Sequence, residues 1–233
     1  MIVPPYVPDA IQVSENVAEE RYAVRVAFIR RVVLFHGLSW LAVWALAISP
    51  MPSLPVVPSA LALVGSLVAL SVMRDLTKPR PIDQLYSLAF SPVMFVFLAM
   101  TLRGLLQLEV PVWALGLGLV ASVLYTFLCG RDFSFVGQYV LALGASSVAI
   151  VLLSEARLPG SDRVATALLI NGVCLSYFVY DLAALQTRRR RKEVLAAVID
   201  LYRDVLNIFS YAIRVVRHWK RHKIWAEELG LRR

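Results

Sequence analysis

The groups in this sequence best suited to chemistry are carboxylates and guanidiniums set among apolar residues. Asp181 stands in the stretch Ser-Tyr-Phe-Val-Tyr-Asp-Leu-Ala-Ala-Leu (176–185), where it is the lone charge. Further on come Asp200, Arg203, Asp204, Asn207, Tyr211, Arg214 and His218. At about 100° per residue, positions 200, 204, 207, 211, 214 and 218 fall within about 80° of one another, so a helix through them carries one narrow polar stripe. Leu, Ile, Val, Phe and Ala cover its other faces. A helix lying on a membrane surface usually shows a wide face of Lys and Arg. A narrow stripe holding carboxylates fits instead a central helix whose polar side faces a wet or ion-paired interior. Ionisable groups at membrane depth are costly and by default mark ion or proton paths.

The basic run 188–192 joins the segment of Asp181 to that of Asp204 and is short enough to make them antiparallel neighbours. Counted from that hinge at about 1.5 Å per residue, the two carboxylates differ in depth by only ~7 Å. Two carboxylates meeting in a low-dielectric site cannot both ionise cheaply, so the pair is expected to share a proton and to respond to pH. Two such oxygens also suit a hard cation such as calcium, which makes Asp181 and Asp204 the candidate metal ligands. Arg203 is placed to pair with Asp200 one turn away.

The elements that must position these groups are membrane helices. The chain has 233 residues, of which 59% are hydrophobic and 17% charged, with mean hydropathy +0.68. A soluble domain usually carries about 25% charged residues, and so apolar a chain has too little polar surface to face water on all sides. No Asp, Glu, Lys or Arg falls between Arg31 and Arg74, between Asp83 and Arg103, between Glu109 and Arg131, or between Asp132 and Glu155. A bilayer core of ~30 Å takes about 20 apolar residues as a helix. These gaps predict spans at 32–48, 56–73, 84–102, 110–129, 133–153 and 164–185, then a seventh helix over 193–216. The runs are continuous, whereas a membrane barrel shows alternating segments of about ten residues. Backbone groups in lipid must pair within the segment, so a helical bundle follows. The expectation is an all-α membrane protein: a seven-helix transmembrane domain over 22–216 with the last helix central, a disordered tail at 1–21 and a basic tail at 217–233.

Lys and Arg set the orientation. The side of the N-terminal tail collects Arg21, Arg25, Arg30, Arg31, Arg74, Lys78, Arg80, Arg131 and the run 188–192, whereas the far side holds Arg103, Arg157 and Arg163. The N-terminus is therefore expected in the cytoplasm, with the C-terminal tail outside. Residues 1–20 lack the apolar core of a signal peptide. The formal charge of +8 lies mostly in membrane-flanking segments, which points to anionic headgroups rather than nucleic acid.

The segment Tyr180-Asp181-Leu182, a short basic linker, and then Leu201-Tyr202-Arg203-Asp204-Val205-Leu206-Asn207-Ile208-Phe209 and Arg214 resemble the end of a Bax inhibitor-1 family protein. In that family, also called the transmembrane Bax inhibitor motif proteins, a Tyr-Asp pair ends helix six and Leu-Tyr-x-Asp-x-x-Asn-x-Phe lies in helix seven. The match covers roughly 22–216 and is specific in the last two helices. It implies a seven-helix fold with the last helix central and a pH-gated calcium leak, with no cofactor and calcium as the permeant ion. In that leak two aspartates share a proton and an arginine of helix two latches them. Those roles fall on Asp181, Asp204 and Arg74, with Asp200, Arg203, Asn207, Tyr211 and Arg214 as a supporting stripe. Arg203 stands where the family usually has an apolar residue, and Asp200 where it often has Asn or Ser.

The remaining expectations are a monomeric multi-pass protein that is not an enzyme, in a bacterial cytoplasmic membrane, or in the endoplasmic reticulum or another endomembrane of a eukaryote. The alternative is a non-conducting membrane regulator that binds partner proteins, such as proteases or cell-death regulators. An intramembrane aspartyl protease needs Gly-x-Gly-Asp, but Gly116-Leu117-Gly118 precedes Leu119. A rhomboid-type protease needs Gly-x-Ser-Gly, which is absent, so the membrane-depth His36 is expected to be a packing group. No phosphate loop, zinc spacing or dinucleotide fingerprint occurs. Cys129 and Cys174 lie in apolar runs and are expected to act as small buried hydrophobes.

Overall fold

The computed structural model describes residues 13–50, 52, 54–77, 82–130, 136–155, 158 and 160–207; the side chains at 74–77, 82–84, 86, 87, 136–139 and 207 lie outside that description. The described residues form helices and connecting turns, with no strand among them. Seven α-helices follow in order: α1 Tyr22–Ile48, α2 Val56–Thr77, α3 Ile82–Gln107, α4 Trp113–Cys129, α5 Val136–Leu153, α6 Val164–Arg188 and α7 Val194–Arg203. Four of them, α1, α2, α3 and α6, contain stretches long and apolar enough to cross a membrane, and α4 and α5 are shorter apolar helices. The fold is an all-α membrane bundle.

Outward-facing residues such as Leu41, Ile48, Val57, Leu61, Leu128 and Leu152 are more than half exposed. An apolar chain can leave such side chains outside only where lipid covers them. The core is built by Phe28, Ile29, Val32 and Val33 of α1, Leu67 and Leu70 of α2, Met94 of α3, Val179, Leu182 and Leu185 of α6, and Ala197 and Leu201 of α7. Every residue from Ala196 to Arg203 is buried, and α7 packs against α1, α2, α3 and α6. The seventh helix is therefore central. Its centrality is what allows a short helix with polar groups to persist in an apolar bundle.

Several boundaries differ from the sequence expectation. α1 begins at Tyr22 rather than 32, because Arg25, Arg30 and Arg31 sit on its first turns. Arg30 there spends its charge on the carbonyls of Thr126 and Phe127 at the end of α4. That end is closed by Gly130 at φ 60°, the left-handed conformation that glycine adopts without a Cβ clash. α3 runs through Pro92 and reaches Gln107. Helix seven was expected to continue to 216; its α-helical part ends at Arg203 and passes into a 3-10 turn over Asp204–Asn207. Residues 208–216 and the tail 217–233 lie outside the described residues.

The expected tail at 1–21 lies outside the description up to residue 12. From Val13 on, the chain is docked. Asn16 caps a short 3-10 turn, Val17–Glu19, by accepting from the Glu19 amide at 3.2 Å. The Val13 and Val17 amides donate to the carbonyls of Thr187 and Arg189, at 3.1 and 3.0 Å. Val17 is fully buried in the main core. Residues 13–20 thus form a strap across the α6–α7 corner. Cys129, expected to be buried, is exposed on the outer face, and Cys174 is half-buried.

Candidate functional site

Among the described residues, the α6–α7 corner gathers three carboxylates and three guanidiniums in one buried ionic chain. Asp181 and Arg188 are seven residues apart on α6, two turns along the same face. Arg188 Nη1 lies 3.3 Å from Asp181 Oδ1 and 2.6 Å from Asp204 Oδ2. One nitrogen therefore bridges a carboxylate of α6 and a carboxylate at the end of α7. Arg203 Nη2 approaches Asp204 Oδ1 at 2.9 Å and Asp200 Oδ1 at 2.8 Å. Arg189 holds Asp200 from the other side as a fork, Nε to Oδ2 at 2.6 Å and Nη2 to Oδ1 at 2.9 Å. The pairs run Asp181, Arg188, Asp204, Arg203, Asp200, Arg189, and all six residues are buried, Asp181 completely.

Removing ions from water is costly, and pairing offsets that cost only with good geometry and further hydrogen bonds. The short distances and the fork on Asp200 meet that demand. The strap adds to it: its Val17 amide binds the carbonyl of Arg189, and Arg190 reaches the Ser14 carbonyl at 3.2 Å.

Asp181, Asp204, Asp200 and Arg203 thus lie together. Arg74 is on α2, but its side chain is outside the described residues, as is that of Asn207; Tyr211 and Arg214 lie beyond them. The sequence places Arg188 and Arg189 in the basic hinge 188–192 and gives them no role at the site. Both are buried, and they are the site residues the sequence reading missed. The seven-residue step from Asp181 to Arg188 was a usable signal, hidden by the run of basic residues that follows. Among the described residues no three His, Cys, Asp or Glu side chains group as a metal ion would need.

Beside Leu201 and Tyr202 of α7 and Val205 of the turn that follows lies a cavity of about 280 Å³ with mainly apolar walls. His36 is part of its wall and of an aromatic cluster. Its ring stacks on Phe178 with centroids 5.2 Å apart, lies 4.6 Å from Tyr202, and accepts from Trp40 Nε1 at 3.0 Å. The Tyr202 hydroxyl meets Ser39 Oγ at 2.6 Å. His36 is thus a packing group of the α1–α6–α7 contact, and no serine stands against it as a nucleophile among these contacts.

No protein-family model matches the chain, and no solved structure matches it. Among curated proteins, Protein LIFEGUARD 3 of Arabidopsis thaliana is 27% identical over 223 residues, covering 87% of this chain and 88% of the relative. That relative is a Bax inhibitor-1 family member. The alignment spans nearly the whole of both proteins, and Asp181 of the Tyr-Asp pair and Asp204 of the Leu-Tyr-x-Asp pattern converge on one site. Over nearly its whole length the chain is similar to this Bax inhibitor-1 family member, which supports the resemblance carried by its last two helices.

Proposed function

We propose that this protein is a pH-sensitive cation leak of its membrane, with calcium as the permeant ion and the Asp181–Asp204 pair as the group whose protonation sets its state. The observation that carries this reading is the bridge of Arg188 Nη1 between Asp181 and Asp204, inside an apolar bundle. Buried ionisable groups of this kind mark ion or proton paths. A proton on either carboxylate removes the charge that holds the guanidinium. Acidification then loosens the corner, and flux rises as pH falls. Arg74 is assigned the latch, and Asp200, Arg203, Asn207, Tyr211 and Arg214 are assigned a supporting polar role.

The balance of three carboxylates against three guanidiniums favours a second reading, a non-conducting membrane regulator that binds partner proteins and uses the ion pairs as a structural lock. Calcium uptake into liposomes holding the purified protein separates the two. The leak predicts uptake that is faster in mildly acid than in mildly alkaline buffer. Asp181→Asn and Asp204→Asn each leave Arg188 facing one charged carboxylate instead of two and flatten that profile. Uptake no greater than in empty liposomes at any pH refutes conduction. An unchanged profile in both variants refutes the coupled pair.

A further inference from the structure

We propose that the cavity beside α7 binds a small, uncharged aromatic molecule dissolved in the membrane, and that this occupant plugs the middle of the bundle. The cavity is walled by six of the seven helices, with Trp40 of α1, Leu67 of α2, Met94 of α3, Leu119 of α4, Phe178 of α6 and Leu201 of α7 among its residues. An apolar cavity of about 150 Å³ takes one benzene ring, so the volume of about 280 Å³ has room for about ten or eleven non-hydrogen atoms. That is one ring with a short side chain. It is less than the acyl chain of an ordinary membrane lipid.

The polar groups of the wall leave the cavity apolar. His36 Nε2 accepts from Trp40 Nε1, and the Tyr202 hydroxyl pairs with Ser39. Asn171 Nδ2 donates to Ser146 Oγ at 2.8 Å, and the Tyr177 hydroxyl donates to the Leu201 carbonyl at 3.4 Å. His36 Nδ1 and Asn171 Oδ1 have no hydrogen-bond partner, yet both atoms are covered, so neither faces the cavity. The Asn171 oxygen lies against Gly118, where an added Cβ would stand 2.6 Å from it. A buried water needs two to four polar partners, and a cation needs more, so this space suits neither. The sulfurs of Met94 and Cys174 and the rings of Trp40, Phe178 and Tyr202 favour an aromatic occupant over an aliphatic one.

The place of the cavity gives its occupant an effect. Leu201 and Tyr202 of the central helix are part of its wall, one step along the chain from the ionic corner at Asp200 and Arg203. Apolar constrictions in ion paths close by losing water. A molecule lodged in this one keeps water out and holds the path closed. Binding is independent of the leak reading above, whereas the effect on flux rests on it.

The probe is 1-butyl-4-fluorobenzene, added to the full-length protein in lipid nanodiscs and followed by fluorine NMR. Wild type is expected to give a saturable bound signal distinct from that of the probe in empty nanodiscs. A charged analogue of similar size, 4-fluorobenzyl-trimethylammonium, is expected to give none. Leu98→Trp puts a larger side chain into the half-buried wall and should weaken binding about tenfold or more, whereas Leu152→Trp, on the lipid-facing surface, should not. If Leu98→Trp does not fold, Leu115→Trp, at another wall position, decides. No saturable signal in wild type, equal binding of the charged analogue, or a signal kept in the folded wall variant overturns the proposal. A signal that appears only after the lipid is stripped away shows an acyl chain in the cavity and overturns the assignment to a free molecule. In liposomes, 1-butyl-4-fluorobenzene is expected to lower calcium uptake by wild type and not by Leu98→Trp. Binding without a change in uptake upholds the site and overturns the plug, and a protein that binds the probe but never conducts upholds the site and overturns the leak.

Discussion

Replacing Asp200 with Asn tests the ionic chain at its most heavily shared carboxylate. Asp200 is buried and receives the Arg189 fork at 2.6 and 2.9 Å and Arg203 Nη2 at 2.8 Å. Asn keeps the shape and one acceptor but removes the charge, so two buried guanidiniums lose a counter-ion they share. Breaking a buried pair by removing one partner costs about 3–5 kcal/mol. Adding Arg189→Gln removes one stranded charge, so the double variant is expected to recover about 1–3 kcal/mol relative to the sum of the single changes. The assay is a double-variant cycle, with unfolding in detergent micelles followed by tryptophan fluorescence and helical circular dichroism. Two results refute the reasoning: Asp200→Asn as stable as wild type, or effects that add to within about 0.5 kcal/mol. Arg203 also contacts Asp204, so Asp200→Asn is expected to shift the pH profile of flux as well, and it is not an inert control for the Asp181–Asp204 pair.

Tyr202→Phe keeps the aromatic cluster with His36 and Phe95 and loses the bond to Ser39, so the same unfolding assay is expected to show a loss of about 1 kcal/mol. Gly160→Ala places a Cβ at φ +71° against the Glu109 carbonyl and should lower stability by about 1–3 kcal/mol, whereas Gly144→Ala, in open space, should not. A single cysteine at position 190 is expected to resist a membrane-impermeant thiol reagent applied outside intact cells, and efficient labelling there overturns a cytoplasmic α6–α7 corner.

The amino-acid sequence by itself determined the solvent of this protein and the number of its helices. Long stretches without charge can be satisfied only in lipid, and in lipid the backbone must pair within each segment. The narrow stripe over Asp200 and Asp204 likewise required helix seven to be central, because no lipid-facing helix can carry it. The sequence also allowed the pair of Asp200 and Arg203, since a one-turn spacing is a local fact. Local spacing could not say which basic residues of the run 188–192 enter the core. Arg188 and Arg189 are adjacent to Arg190 in sequence and share its chemistry, yet the first two are buried and Arg190 is exposed. That choice depends on where α6 ends, on the depth of Asp181 and Asp204 relative to each other, and on a strap that docks Val17 onto the corner. Such contacts join residues far apart in the chain, so only the folded bundle decides them. For the same reason Arg188 of α6 joins the aspartate pair unannounced by the sequence, whereas Arg74, the latch that the resemblance assigns to α2, has its side chain outside the described residues.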